Sequence, residues 1–195
     1  MMFDPKVIQK LRAETGSGIM DCRKILEEAG GDYDKAIELL RKRGQKVAAN
    51  KADRETHEGI VKSYIHSNGK VGAMVEVLCE TDFVARNEQF QQFAHNIAMH
   101  IAASNPLYLT PDQIPLDLIE KEKEIYTEQM AGETKPENIK EKIIEGKLAK
   151  FYSEVCLMKQ AYVLDDTMTI EEVVVAQIAK TGENIQLRRF SRLSL

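Results

Sequence analysis

Among the side chains able to do chemistry, Asp82 beside Phe83 stands out, in the stretch Thr81-Asp82-Phe83-Val84-Ala85-Arg86-Asn87. A large apolar ring at a turn, here beside a carboxylate, is unusual. The segment lies between an apolar, strand-like run, Val71 to Cys79, and an amphipathic helical pattern that begins near Glu88. Connectors seated on such a rigid base often carry function. Two fates are open to Phe83: packing into its own core, as most phenylalanines do, or presentation to another molecule. Val84 reads equally well as a staple onto the helix that follows.

No other group of residues assembles into a catalytic pattern. Gly16-Ser17-Gly18 lacks the third glycine of a dinucleotide loop and joins two helical patterns instead of a strand and a helix, so it reads as a turn. The chain contains no GxxxxGK[ST], HExxH or GxSxG motif. His57, His66, His95 and His100 have no evident nucleophile to serve. His95 and His100 stand about 140° apart on a helix, which rules them out as a metal pair. Each histidine is expected on the surface or as a satisfied core residue. Most carboxylates alternate with lysine, as on solvated helix faces. The expectation is a binding protein, with no catalytic residue, metal or cofactor of its own.

Composition supports that class without naming a partner. The 195 residues are 43% hydrophobic and 30% charged, enough for one sizeable domain or two small ones. The net charge of -4 carries no concentrated basic footprint, so direct nucleic-acid binding is not expected. Cys22, Cys79 and Cys156 are odd in number, widely spaced and set in apolar patterns, and read as buried thiols in a reducing cytosol. Neither a signal peptide nor a stretch near the ~20 apolar residues of a membrane span is evident. A cytoplasmic protein is expected.

The elements that must position the connector can be read in order. Asp4-Pro5 starts a helix carrying Val7, Ile8 and Leu11 that stops at Thr15-Gly16. A second helix runs from about Gly18 to Ala29, and a third follows Asp32 and closes at Gly44. These three make a small helical module, marginal on its own. Lys46 to Glu58 is a polar, partly helical linker, and the boundary is set near residue 54, giving a module of residues 1–54 and a core of residues 55–195. Arg41, Lys42, Arg43, Lys46 and Lys51 gather positive charge there, better read as a solvated face than as a nucleic-acid site.

From Gly59 the period becomes two. Ile60 to His66 and Lys70 to Cys79 flank Asn68-Gly69, a hairpin signal with both turn residues at positive φ. The second strand, apolar on both faces, is expected to be central. A helix bearing Phe90, Phe93, Ala94, Ile97 and Ile101 follows, ending at Ser104-Asn105-Pro106, and is expected to lie across the hairpin. Residues 112–152 predict a protruding helical hairpin joined by an Ala131 to Lys135 loop. A strand over Glu154 to Met158 is expected to rejoin the sheet. Thr169-Ile170-Glu171-Glu172 is a capping box for a helix ended by Gly182, and Asn184 to Leu193 alternates as a last strand. The predicted fold class is α+β, with a small antiparallel sheet and helices packed on one of its faces.

Three motifs carry a family resemblance: Thr15-Gly16-Ser17-Gly18-Ile19-Met20-Asp21-Cys22-Arg23-Lys24, Glu80 to Asn87, and Thr181-Gly182-Glu183-Asn184-Ile185. In this order the chain resembles bacterial translation elongation factor Ts, in register from Val7 to Leu195. The resemblance implies a ubiquitin-associated (UBA-like) form for the helical module. It also implies a guanine nucleotide exchange factor, not itself an enzyme, for the GTPase elongation factor Tu. On that likeness Asp82 and Phe83 intrude near the magnesium site of the partner and displace the ion. Thr81 and Val84 set the angle of the wedge, and Arg12, Met20, Asp21 and Lys24 belong to a second grip by the helical module. Met20 reads equally as module core. The length matches the short family members, which implies a homodimer. Composition and periodicity alone favour another class, a dimeric adaptor whose helical module binds a protein or peptide. The wedge motif separates the two, because an adaptor needs no exposed Asp-Phe on such a turn.

Overall fold

The computed structural model describes residues 4–130, 132 and 136–195. It is a mixed α+β fold with a three-stranded sheet of order β1-β2-β5 and a two-stranded sheet of β3 and β4. The sheet strands are β1 (Glu58–Ile65), β2 (Val71–Cys79) and β5 (Gln186–Ser194). By contacts the chain forms two compact units. One gathers the chain up to Lys62 with Glu76–His95 and Glu172–Arg188; the other holds Ser63–Val75, Asn96–Glu171 and Arg189–Leu195.

In the first unit, α1 (Pro5–Thr15), α2 (Ile19–Glu28) and α3 (Tyr33–Ala49) form the predicted three-helix group. Asp4 caps α1 by accepting from Lys6 N at 2.9 Å, and Asp32 caps α3 through Lys35 N at 3.0 Å. Gly16, at φ 67°, closes α1 by donating its N–H to Arg12 O, a left-handed cap that glycine takes without strain. Leu11, Cys22, Ile25, Leu26, Ala29, Ala36 and Leu40 bury together as the core of this group. Each large aliphatic side chain so buried contributes roughly 1.5–3 kcal/mol.

Helix α3 does not stop at Gly44. It runs on to Ala49, and Gly44 is buried inside it, with Ala179 Cβ and Val175 Cγ1 at ordinary contact distances of 3.6 and 3.7 Å from where a Cβ would lie. Those residues belong to α8 (Ile170–Thr181). The glycine is therefore an interior helical residue facing a neighbouring helix and not a stop signal. Lys180, also of α8, lies against Gly16. The marginal three-helix core thus gains a fourth helical neighbour.

The β1–β2 hairpin forms as expected, with a different turn. His66 N donates to Val71 O at 2.8 Å and Gly69 N to His66 O at 2.8 Å, so residues 67–70 make a four-residue connection. Gly69 has φ 67°, while Asn105 is the non-glycine residue with positive φ among those described. The two-residue turn with both positions at positive φ is thus replaced by one needing only Gly69, and Asn68 Oδ1 instead accepts from Lys70 N at 3.0 Å. Strand β2 is central, though not because both faces are buried. Ala73, Val75, Val77 and Cys79 are buried, while Met74 on the alternate face is 52% exposed.

In the second unit, α6 (Leu116–Met130) and α7 (Glu137–Val155) pack as the predicted helical hairpin. Lys147 Nζ donates to Gln129 Oε1 at 2.5 Å and sits 5.4 Å from the centre of the Tyr126 ring. Of the expected Ala131–Lys135 loop, all but Gly132 lies outside the described residues. The strand expected over Glu154 to Met158 is not formed. Helix α7 continues to Val155, Cys156 makes a single parallel bridge with Tyr108, and Leu157–Lys159 turn as a 3-10 helix. The backbone there is satisfied by the 107–109 segment, with Leu157 N on Tyr108 O and Met158 N on Leu109 O. A small hairpin that the sequence reading lacked, β3 (Ala161–Tyr162) with β4 (Asp165–Thr169), comes next.

The second unit also contains a buried polar knot at the end of α5 (Glu88–Ser104). His100 is fully buried; its Nδ1 accepts from Val163 N at 3.2 Å, and its Nε2 faces Gln160 Oε1 at 3.1 Å. A backbone N–H can only donate, so Nδ1 must be unprotonated and the ring neutral. Gln160 in turn donates to Glu154 O at 2.9 Å and to Ser104 O at 3.3 Å. Burial lowers the His100 pKa in agreement. Of the two fates expected for each histidine, surface or satisfied core, His100 takes the second.

Candidate functional site

The Thr81–Asn87 connector is built around α4, a single turn of helix over Asp82–Arg86. It sits in the first unit, where β2 ends at Cys79. Thr81 is its N-cap, with Oγ1 accepting from Val84 N at 3.4 Å. Asn87 ends the turn by donating its N–H to Val84 O and caps α5, its Oδ1 accepting from Gln89 N at 2.8 Å. Val84 is the anchor: it is buried, so the turn is held by its third residue.

That arrangement leaves the second residue outside. Phe83 is 78% exposed, although most phenylalanines of its size pack inward. The Asp82 carboxylate is exposed too and pairs with Arg86 one turn on, at 3.2 Å. An exposed pair of this kind contributes at most about 1 kcal/mol, so Asp82 can exchange Arg86 for another partner at little cost. Asp82, Phe83, Arg86 and Asn87 line one shallow, open depression. The site therefore offers an apolar ring, a carboxylate and a guanidinium within two helical turns.

What holds the turn in place comes from far along the chain. One Glu183 carboxylate oxygen accepts from Glu80 N and from Thr81 N, both at 3.1 Å. The other accepts from the Thr81 hydroxyl at 2.6 Å. The next residue repeats the theme: Asn184 N donates to Glu80 Oε1 at 2.6 Å, and Asn184 Nδ2 donates to Ala52 O and Arg54 O. Lys51 Nζ reaches Gly182 O, and Arg54 pairs with Glu80 at 3.3 Å. The Asn184 amide first, then Arg54, lowers the Glu80 pKa. Below the turn, burial and then the Glu183 charge push the Cys79 thiol up to about 11, so it is an inert structural thiol. Cys22, Cys79 and Cys156 are all free and buried, as predicted.

The residues expected from the helical module lie on the α1–α2 corner. Met20 is 60% exposed and Ile19 beside it is exposed, so Met20 is surface and not module core. Arg12 and Lys24 are exposed, and Asp21 is half-buried in an ion pair with Arg43 Nη2 at 3.1 Å. This pair ties α2 to α3 and gives Asp21 a structural task. Sequence reading did not find the roles of Glu183 and Asn184. Their place in the Thr181–Ile185 motif marked them, but it does not reveal that Glu183 meets Thr81 across 102 residues.

Among the described residues, no cluster of three or more His, Cys, Asp or Glu could hold a metal ion, and no helix is long and apolar enough to cross a membrane. The turn presents its apolar ring, carboxylate and guanidinium at the surface. The model of the family described as Elongation factor TS matches residues 20–177. The chain is 51% identical over 195 residues to Elongation factor Ts of Fervidobacterium nodosum, covering 100% of this chain and 99% of the relative. It is 52% identical over 195 residues to that of Thermotoga petrophila, covering 100% and 97%. With that of Nitratidesulfovibrio vulgaris it is 50% identical over 195 residues, covering 100% and 98%.

Proposed function

The chain belongs to the elongation factor Ts family, and so to the translation elongation factors, and from that premise we propose that it is a guanine nucleotide exchange factor for the GTPase elongation factor Tu. It binds the GDP form, and its Asp82–Phe83 turn enters near the magnesium site. It acts in the cytoplasm, where translation occurs, and catalyses no covalent step itself. The observation that carries this reading is Phe83, held 78% exposed beside a weakly paired carboxylate on an anchored turn.

The physics of the step is differential binding. A GTPase holds GDP through backbone N–H groups around the phosphates and through its magnesium ion. A wedge that fits only when the element supporting the ion has moved stabilises the open state and weakens both. A thousandfold faster release requires about 4 kcal/mol of such preference. Burying one Phe supplies roughly 1.5–3 kcal/mol and a charge-assisted hydrogen bond to Asp82 about 1.5–3 kcal/mol. Thr81 and Val84 fix the angle of the turn. Residues 1–54 grip the same partner through Arg12, Met20, Asp21 and Lys24, of which exposed Met20 is the main apolar contact.

Residues 55–195 form the core, which we assign to partner binding, through the Asp82–Phe83 turn, and to homodimer formation. Exposed Ile65 and Met74 on the β1–β2 hairpin support that reading, as an apolar face a second subunit would cover. Sedimentation showing a monomer at micromolar concentration would remove the dimer. Exchange itself is tested by stopped-flow release of fluorescent GDP from elongation factor Tu. Acceleration by the wild type, strongly reduced in folded Asp82→Ala, supports the reading. Binding without any change in GDP release would replace exchange by the adaptor reading.

A further inference from the structure

The Glu183 carboxylate is used more fully than any other near the wedge. Its Oε2 takes two successive backbone N–H groups, those of Glu80 and Thr81, and its Oε1 takes the Thr81 hydroxyl. A hydroxyl has one proton to give. With that proton committed to Glu183 at 2.6 Å, the lone pairs of Thr81 Oγ1 are left to face Val84 N, which caps α4. Glu183 therefore sets both the backbone path into the turn and the rotamer of its cap. Carboxylate acceptors make stronger bonds than neutral ones, and these three converge on one residue whose own segment is fastened through Asn184 and Glu80.

We propose that Glu183 is a positioning residue for nucleotide exchange: through Thr81 it fixes the direction in which Asp82 and Phe83 leave the surface, without touching the partner. The proposal rests on the exchange reading above. It separates two properties of the wedge, its chemistry and its aim. Residues that touch the partner set affinity and rate together, whereas Glu183 sets how often an encounter finds the wedge correctly presented in the bound complex. A small misplacement of a working group costs up to about 100-fold in rate. Removing Glu183 is therefore expected to lower the maximal GDP release rate about 10–100-fold, with a much smaller change in the concentration giving half of it.

The test is stopped-flow GDP release at a series of concentrations of wild type, Glu183→Ala, Glu183→Gln, Thr81→Val and the Glu183→Ala/Thr81→Val double variant. Thermal unfolding and amide exchange over Asp82–Ala85 are measured alongside. The expected result is a fall in the maximal rate for Glu183→Ala and a smaller one for Glu183→Gln, whose amide keeps the two backbone bonds but donates where Thr81 must donate. The double variant should be no worse than the poorer single one, because both remove the same link. Effects that multiply, a change confined to half-saturation, or a wild-type rate in folded Glu183→Ala would overturn the proposal. Should Glu183→Ala not fold, Glu183→Gln decides by the same criteria, and a wild-type rate there overturns it. No acceleration by the wild type would defeat exchange instead. The amide-exchange arm then still judges Glu183, since unchanged protection over Asp82–Ala85 denies it any hold on the turn.

Discussion

Replacing Phe83 by alanine separates what the ring does for a partner from what it does for the fold. The ring is 78% exposed, and the turn is held by Val84, Thr81 and Glu183, none of which depends on it. Alanine is also the better helix former in α4. Folding stability should therefore change by less than about 0.5 kcal/mol. The partner feels the whole difference. Burial of a full Phe is worth roughly 1.5–3 kcal/mol, so the exposed part offers about 1.2–2.3 kcal/mol to the open state of the GTPase. At 1.36 kcal/mol per decade, Phe83→Ala should slow accelerated GDP release about 7–50-fold. The assay is stopped-flow release with thermal unfolding in parallel. A variant within twofold of wild type, or one that loses release and stability together, would refute the reasoning, the first because the ring is idle and the second because it is core.

Two further outcomes follow from the fold. The pKa of His100 is depressed by burial, so between that value and the unfolded-state value near 6.5 the unfolded chain binds the additional proton. Stability should hold above about pH 6.5 and fall as pH drops below it, and the slope should flatten in His100→Gln; thermal unfolding between about pH 7.5 and 5.5 checks this. Gly59, at φ 153°, leaves no room for a side chain, since a Cβ would lie 2.3 Å from Val77 O and 2.8 Å from Leu78 Cα. Gly59→Ala should cost about 2–5 kcal/mol in urea unfolding, and a neutral result would show that the strands can part there.

Much of this was legible because local signals and tertiary needs agree. Asp4-Pro5, Asp32 and the 3.6-residue pattern give the helices, and the break at Ser104-Asn105-Pro106 ends α5 where Asn105 takes φ 48°. The Thr81–Asn87 segment stood out because it puts an aromatic ring at a connector. Failures came where a residue serves a distant neighbour. Gly44 has the sequence signature of a stop, yet it is buried against α8 inside a helix that runs on to Ala49. Glu154 to Met158 has the composition of a strand, but Tyr108 and Leu109 supply its partners, so it forms one bridge and a 3-10 turn. Glu183 is marked by the Thr181–Ile185 motif, but its task emerges only when the fold brings it to Thr81. Sequence periodicity reports which face is apolar, and it does not report which remote backbone a carboxylate will hold.

The account stands most directly on linkage. If the chain speeds GDP loss by favouring the open GTPase, GDP must weaken the chain by the same factor that the chain weakens GDP. Titrating the chain by calorimetry into elongation factor Tu, once saturated with GDP and magnesium and once free of nucleotide, measures that factor. The account predicts tighter binding to the nucleotide-free form, about a thousandfold for a preference of about 4 kcal/mol. Equal affinity for the two forms would contradict it.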